Sequence, residues 1–481
     1  MNRNKKRAGS DVSESSCKIQ VLPPNIIIDI LSRLPIRTIL SCKRVCKGWL
    51  RLISHPRFLN LQLSRSSTAV LVKTVPSVHH SRKITLTQVD QRVSTPFRFH
   101  KLVFTPKNNL PSSSKFGLVN SCNGFLCLAG VEKDDPIWVC NPILGEYVTI
   151  PPPVEGRNRG SFGGLGFCTV TNRYKVLQTF YPNVELSGKR YLNAAIYCLY
   201  TATWRSIGYA PGVPVALPFN SLLHGSLHWV PNVGKSAEYI YSFNFETEEF
   251  GSVPPPPGLD ETHKGFSDYL RLGVLEGCLF LCVFGDDTTK FDIWVMKDYG
   301  VKESWTKQLV IENLYPRDLS PDYYEPIQFF NNGDILMLYN YCEVVCYNTE
   351  TKTFRCTNLT RTRNLFDSIA HIPSLFSLYH VTRRDQVQRV KGRKECANLC
   401  VQGTVDCPGL ETSHNEPARF DSTLYQGHPG QNADHRTEFM STANAAANFD
   451  HNIAQGIPTP HINDDFGNLA SIDSYPFLWH L

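Results

Sequence analysis

The sequence predicts two units of different class: a small all-α unit of three helices, then an all-β domain built as a degenerate propeller. Three observations carry this expectation. Two proline-bounded helical runs and a third stretch with helical apolar spacing lie between Leu22 and Ile53. From about residue 100 to 380, short β-branched and aromatic runs are punctuated by Gly, Pro and Asn-Gly, the texture of strands joined by turns. Within that zone a strand–turn–strand unit recurs at a period near 50 residues, the length of a kelch-type blade.

The chain opens with MNRNKKRAGSDVSESS. This segment is polar and lacks the apolar stretch of a secretory signal, so residues 1–20 are expected to be disordered. No run of about 18 apolar residues predicts a membrane span. An intracellular location, in nucleus or cytoplasm, is the expectation, and the 16 cysteines are then mostly reduced. Several sit four apart, such as Cys42 and Cys46 or Cys278 and Cys282, but no paired C-x2-C or His-x3-5-His spacing suggests zinc. No metal or other cofactor is expected. Asn4-Lys5-Lys6-Arg7 is short enough to be either an import signal or an ordinary basic run.

At 481 residues the length prior allows two to four domains, and 42% hydrophobic residues suffice for a sizeable core. The helical unit is expected over 21–60. In LPPNIIIDILSRLP, Pro23 and Pro24 suit a first turn, where the missing N–H costs nothing, and Pro35 ends the run. Ile26, Ile27, Ile28, Ile30, Leu31 and Leu34 cover about 200° of the wheel at roughly 100° per residue, twice the stripe that a surface helix needs. A second helical stretch follows from Ile36 to Ser41. A third, RVCKGWLRLI, places Val45, Trp49 and Leu52 on one face at i, i+4 and i+7. Three such helices are too small to bury a core alone. Their surplus apolar faces must pack on the rest of this chain or on another one.

Net charge is +6, but residues 1–115 hold 21 Lys and Arg against 4 Asp and Glu, and the remainder is acidic. The basic residues are scattered and lack an aromatic platform for single strands, so no nucleic acid is expected. A solvated basic surface complementary to an acidic protein fits better.

Residues 61–100 read as a β-leaning connector, and 101–380 as the β domain. There CNGFLCLAG leads to IWVCNPILGEYVTIPPP, HGSLHWVPN to YIYSFNFETEEFGSVPPPP, EGCLFLCVF to FDIWVMKDYGVKESWTK, and NNGDILMLYN to VVCYNTETKTFRCTNL. YKVLQTFYP with AAIYCLYTATWRSIG is a partial copy. Starts at Cys122, His224, Glu276 and Asn331 lie 102, 52 and 55 residues apart, which gives about five or six blades. A pair of β-sandwiches is the competing architecture. NPILGE, NFETEE and NTETKT read as hairpin turns, and Gly163-Gly164-x-Gly166 reads as a turn as well. Trp138, Trp204, Trp229, Trp294 and Trp305 are expected in blade cores. After Leu378 the pattern stops, and 381–481 is expected to be a disordered extension that starts with a basic cluster at Arg383 and Arg384.

No catalytic constellation emerges. Asp286-Asp287 is a carboxylate pair in a loop without a second partner set, and no nucleophile elbow, zinc helix, P-loop or dinucleotide fingerprint occurs. A binding protein is expected rather than an enzyme.

The residues from Leu22 to Leu59, LPPNIIIDILSRLPIRTILSCKRVCKGWLRLISHPRFL, resemble an F-box of the plant type. Asn25 departs from the acidic residue common at that place. SCNGFLCL, NPILGEYVTIPPP, HGSLHW, DIWVMKDYGVKESWTK and IAHIPSLFSL resemble the F-box-associated interaction domain, and the last hundred residues fall outside it. The resemblance implies a substrate-recruiting subunit, with the F-box docked on a Skp-type adaptor and joined through a cullin to a RING-type ubiquitin ligase. It implies adaptor-binding positions at Leu22, Pro23, Ile27, Ile30, Leu31, Leu34, Pro35, Ile36, Leu40, Val45 and Trp49. Of these Trp49 is expected in the core, while Leu22, Pro23, Leu34 and Pro35 should face the adaptor, with Arg37, Lys43 and Lys47 at the rim. The target is unknown, and loops 181–192 and 255–270 are expected to meet it. The rival readings are an F-box scaffold or inhibitor acting outside the ligase, and a propeller enzyme with an unrelated helical cap.

Overall fold

The computed structural model describes residues 22–389 apart from 67, 75–83, 90–98, 105–115, 131–134, 154–160, 181–191, 212–220, 231–239, 260–269, 285–289, 313–323, 331, 341–342 and 358–365. The expected disorder of 1–20 and of 390–481 lies outside these residues, as do Asp286-Asp287 and most of the two loops assigned to target binding.

Four helices open the fold, not three: α1 (Pro24–Ser32), α2 (Ile36–Cys42), α3 (Lys47–Ile53) and α4 (Pro56–Arg65). The boundaries are local chemistry. Pro24 and Pro56 occupy first-turn positions where no N–H is needed. The Cys46 sulfur accepts from the Trp49 N–H at 3.4 Å, and His55 Nδ1 accepts from the Arg57 N–H at 3.2 Å. His55-Pro56 therefore starts a helix instead of ending the unit. Because α3 begins at Lys47, Val45 falls in the preceding turn and does not share a helical face with Trp49 and Leu52.

The rest is all β. Strands β1 (Ala69–Thr74), β2 (Ile84–Val89) and β3 (Phe99–Phe104) form within the expected 61–100 connector and just past it. Five sheets then use four consecutive strands each. They are β4 (Phe116–Cys122), β5 (Phe125–Gly130), β6 (Ile137–Asn141) and β7 (Glu146–Ile150); β8 (Ser161–Cys168), β9 (Arg173–Phe180), β10 (Asn193–Cys198) and β11 (Thr203–Tyr209); β12 (Leu222–Leu223), β13 (Ser226–Trp229), β14 (Ile240–Asn244) and β15 (Glu249–Val253); β16 (Leu270–Leu275), β17 (Cys278–Phe284), β18 (Phe291–Met296) and β19 (Trp305–Ile311); and β20 (Tyr324–Phe329), β21 (Ile335–Tyr339), β22 (Glu343–Asn348) and β23 (Thr353–Cys356). A closing sheet has the order β24–β1–β2–β3, in which β24 (Phe366–His371) pairs antiparallel with β1 from Ala69↔His371 to Thr74↔Phe366. Inner strands meet around a circle, β24 to β4, β4 to β8, β8 to β13, β12 to β16, β16 to β20 and β20 to β24. The sheets are thus the blades of a propeller, sealed by joining the two ends of the β region.

The repeats seen in the sequence correspond to recurring turn chemistry. Asn141 Oδ1 accepts from the N–H groups of Ile143 and Leu144, and Asn244 Oδ1 from those of Glu246 and Thr247. Asn348 Oδ1 accepts from the Thr351 N–H. Each side chain closes an Asx-type turn between the third and fourth strands of a blade. Between first and second strands, Asn123-Gly124, His224-Gly225 and Glu276-Gly277 all have positive φ, as a two-residue hairpin with the right twist requires. The triple glycine does not form a turn: it lies inside β8. A Cβ on Gly166 would stand 2.0 Å from the Phe245 ring, so its absence lets the neighbouring blade approach.

Trp138, Trp229 and Trp305 are buried, whereas Trp204 and Trp294 are half-buried. Trp204 and Trp305 Nε1 donate to the carbonyls of Pro151 and Pro254, each at 2.8 Å, so a tryptophan of one blade ties down the proline run leaving another. The chain remains part of the fold past the expected boundary at 380. Two 3-10 turns carry it to β25 (Gln388–Arg389), which pairs with the outer edge of β7. Among the described residues no helix is long and apolar enough to cross a membrane.

Two buried histidines make the fold acid-sensitive. His371 Nδ1 lies 2.9 Å from Ser121 Oγ, and burial holds its imidazole down to about 3. His228 Nδ1 can only donate to the Ser221 carbonyl at 2.9 Å, so Nε2 accepts from the Tyr299 hydroxyl at 2.7 Å. Burial lowers this imidazole to about 4, against a smaller opposing effect of the Ser221 bond. Both depressed values mean that the unfolded chain takes up protons which the native chain refuses. Stability is therefore fully present above pH 6.5 and falls as pH drops toward 4, by on the order of 3 kcal/mol for His228 alone. Urea midpoints measured between pH 7.5 and 4 should record this decline; a flat profile would contradict it.

Candidate interaction surface

The helical unit has two apolar faces with different fates. Ile27 and Leu31, four apart on α1, are buried together with Ile36 and Ile39 of α2, Ile53 of α3, and Phe58 and Leu59 of α4. This core is not closed within the helices. It continues into the first blade through Leu118, Leu126, Leu128, Trp138, Cys140, Ile143 and Tyr147, and into Ile369 and Leu375 beyond. The opposite face of the blade sheet packs on the next blade through Val119, Phe125, Cys127, Val139 and Val148. Alternation along β4–β7 thus gives one sheet face to the propeller and the other to the helices.

The second apolar face remains open. Ile26 and Ile30, also four apart on α1, are 46% and 47% exposed. Leu50 on α3, which packs beside α1, is 45% exposed; Val45 in the α2–α3 turn reaches 62%, and Leu22 before α1 is 37% exposed. Isolated exposed aliphatics are ordinary, but several on one small helical unit make that unit the candidate interaction surface. Completing the burial of each half-exposed isoleucine would contribute on the order of 1 kcal/mol.

The charges around this face are partly held. Asp29 Oδ1 pairs with Arg65 Nη1 at 2.7 Å and Oδ2 with Arg33 Nε at 3.1 Å. Hydrogen bonds from Arg33 and then Arg65 keep the Asp29 carboxyl below the usual aspartate range. Arg65 Nη1 also donates to Ser32 Oγ at 2.6 Å, which ties α4 to α1. Lys47, Arg44 and Arg51 are exposed, whereas Lys43 and Arg37 are half-buried. Burial lowers the Lys43 ammonium, with a smaller opposing effect from the Glu146 carboxylate. Lys43 is thus less exposed than Lys47, the other lysine expected at the rim.

Of the sequence-predicted positions, Leu22, Pro23, Ile30, Pro35 and Val45 are exposed. Ile27, Leu31 and Ile36 are buried against the protein's own core, so they support the surface from behind. Leu34, Leu40 and Trp49 are half-buried and pack on that core. Trp49 is thus a core-edge residue, and the deepest positions are Ile39, Ile53 and Phe58. The sequence reasoning missed Ile26 and Leu50. Ile26 had a signal, since it precedes Ile30 by one helical turn; Leu50 had none, because its side is decided by how α3 sits on α1. The exposed side chains of this candidate surface are mainly aliphatic, with basic residues beside them.

The family model described as the F-box associated beta propeller domain matches residues 75–378, and the model described as F-box-like matches residues 19–60. F-box protein At3g07870 of Arabidopsis thaliana is 28% identical over 397 residues, covering 74% of this chain and 92% of that protein. F-box/kelch-repeat protein At3g23880, also of Arabidopsis thaliana, is 25% identical over 353 residues, covering 69% and 89%. Among solved structures, YCF48 bound to a D1 peptide covers 64% of this chain and 96% of its own, at 11% identity and a TM-score of 0.35. Likeness at that level carries no argument.

Proposed function

The chain belongs to the F-box proteins that carry an F-box-associated β-propeller, and from that premise we propose that it is the substrate-recognition subunit of a Skp–cullin–F-box ubiquitin ligase. The observation that carries the reading is the divided helical unit. One apolar face is used up on the propeller, while Ile26, Ile30, Val45 and Leu50 remain exposed for a second chain. The F-box docks there on a Skp-type adaptor, with exposed Lys47, Arg44 and Arg51 steering an acidic partner. Cullin and RING subunits follow through the adaptor.

The propeller recruits a protein target, and its loops, 181–192 and 255–270 among them, carry the recognition. This chain contributes effective concentration, not bond-making: it holds a target lysine near a ubiquitin-loaded enzyme bound elsewhere on the ligase. The role is that of a non-catalytic adaptor inside the cell, in nucleus or cytoplasm.

The test is co-purification of the full chain with a purified Skp-type adaptor, followed by size-exclusion chromatography. A stable one-to-one complex is expected. A folded chain that elutes alone would overturn the ligase reading in favour of a scaffold acting outside it. The isolated segment 15–65 is unsuitable, because its core residues need the first blade for burial.

A further inference from the structure

We infer that the helical unit and the propeller are latched into one rigid body by the segment 372–389, with Gln62 and Glu146 as the positioning residues. The segment leaves β24 and immediately meets α4. Buried Gln62 donates from Nε2 to the Pro373 carbonyl at 3.3 Å and accepts at Oε1 from the Leu375 N–H at 3.4 Å. Ser66 Oγ donates to the same Pro373 carbonyl at 3.2 Å. On its other side the segment is held by the first blade. A Cβ on Gly124, whose φ is +85°, would stand 2.0 Å from Ser374 Cβ, so the β4–β5 turn admits the strap only because it is glycine.

Glu146 joins the strap to the first blade. Its side chain is buried at the start of β7, where Oε2 accepts from Ser377 Oγ at 2.7 Å and from the Leu378 N–H at 2.9 Å. Oε1 accepts from Arg389 Nη2 at 2.8 Å, where the strap pairs with β7. The charge of this carboxylate also acts on half-buried Lys43 of the α2–α3 turn. Farther along, Thr382 Oγ1 donates to the Leu199 carbonyl at 2.6 Å, so the strap also grips the second blade. Leu375 belongs to the core shared by helices and first blade, and Leu378 and Val387 to the core between the first and second blades. A flexible tether would leave buried carboxamide and carboxylate groups unpaired; here the strap satisfies Gln62 from the helical side and Glu146 from the first blade.

The consequence rests on the proposed function: a target bound by the propeller would be held at a fixed distance and orientation from whatever binds the helices. The latch itself is tested without any partner. In hydrogen–deuterium exchange of the full wild-type chain, α1–α4 are expected to be protected together with β4–β7, and calorimetry should show one cooperative transition. In the full-chain double variant Gln62→Leu and Glu146→Gln, exchange in α1–α4 should rise at least tenfold while β12–β23 stay unchanged. Wild-type helices that exchange or unfold separately from the blades would overturn the inference, and that measurement needs no variant to fold. So would a variant whose exchange rises equally everywhere, or nowhere. A chain that unfolds as one body yet captures no adaptor would instead overturn only the ligase reading.

Discussion

Replacing Ile30 by Arg is expected to lower affinity for a Skp-type adaptor at least about 100-fold, close to 2.7 kcal/mol, with no loss of stability. Ile30 is nearly half exposed and makes no part of the buried core. A guanidinium there is solvated in the free chain, so folding is undisturbed. In a complex it would be driven into an apolar contact without a partner, which carries a desolvation cost in this range. Ile26→Arg should behave alike, one helical turn away. Leu34→Arg would also abolish capture, but through unfolding, because Leu34 packs on the shared core. Calorimetric titration paired with urea unfolding separates the two cases. Wild-type affinity in Ile30→Arg would remove the exposed face of α1 from the docking surface.

The largest stability effect is expected at Asn141. Its side chain is fully buried and makes four bonds: Nδ2 donates to the Ser374 carbonyl at 3.0 Å and to that of Phe376 at 2.6 Å. Oδ1 accepts from the Ile143 and Leu144 N–H groups at 2.8 and 3.1 Å. Asn141→Leu keeps the volume but strands two carbonyls and two N–H groups, at a cost of about 3–5 kcal/mol. Asn244 closes the equivalent turn of the third blade, half-buried and without strap contacts. Asn244→Leu should cost only about 1 kcal/mol. Equal urea midpoints for the two variants would mean that the strap bonds contribute nothing.

Asn141 also shows how far the sequence could be read. NPILGE is legible as a turn because the asparagine bonds to backbone two and three residues away, a purely local event. That the same amide holds residues 374 and 376 is invisible locally, since those partners arrive from more than 200 positions along the chain. The fourth helix was hidden for a related reason. Proline at position 56 is as good a start as it is a stop, and only the burial of Phe58, Leu59 and Gln62 decides between them. The glycines of β8 were read as a turn because nothing in the sequence reveals the Phe245 ring that presses on them.

By itself the sequence determined the class of both units, the proline-set ends of α1, the repeating hairpins and the all-β propeller, because caps, turns and alternation act within a few residues. Only the tertiary structure decided that β24 closes the ring on β1, that residues 61–104 join the last turn of α4 to three strands, and that the chain stays within the fold to Arg389. It also decided which isoleucines of α1 support the core and which stand free. The apolar arc was too wide for one neighbour, and a helix cannot show from its own residues which side its neighbour will take.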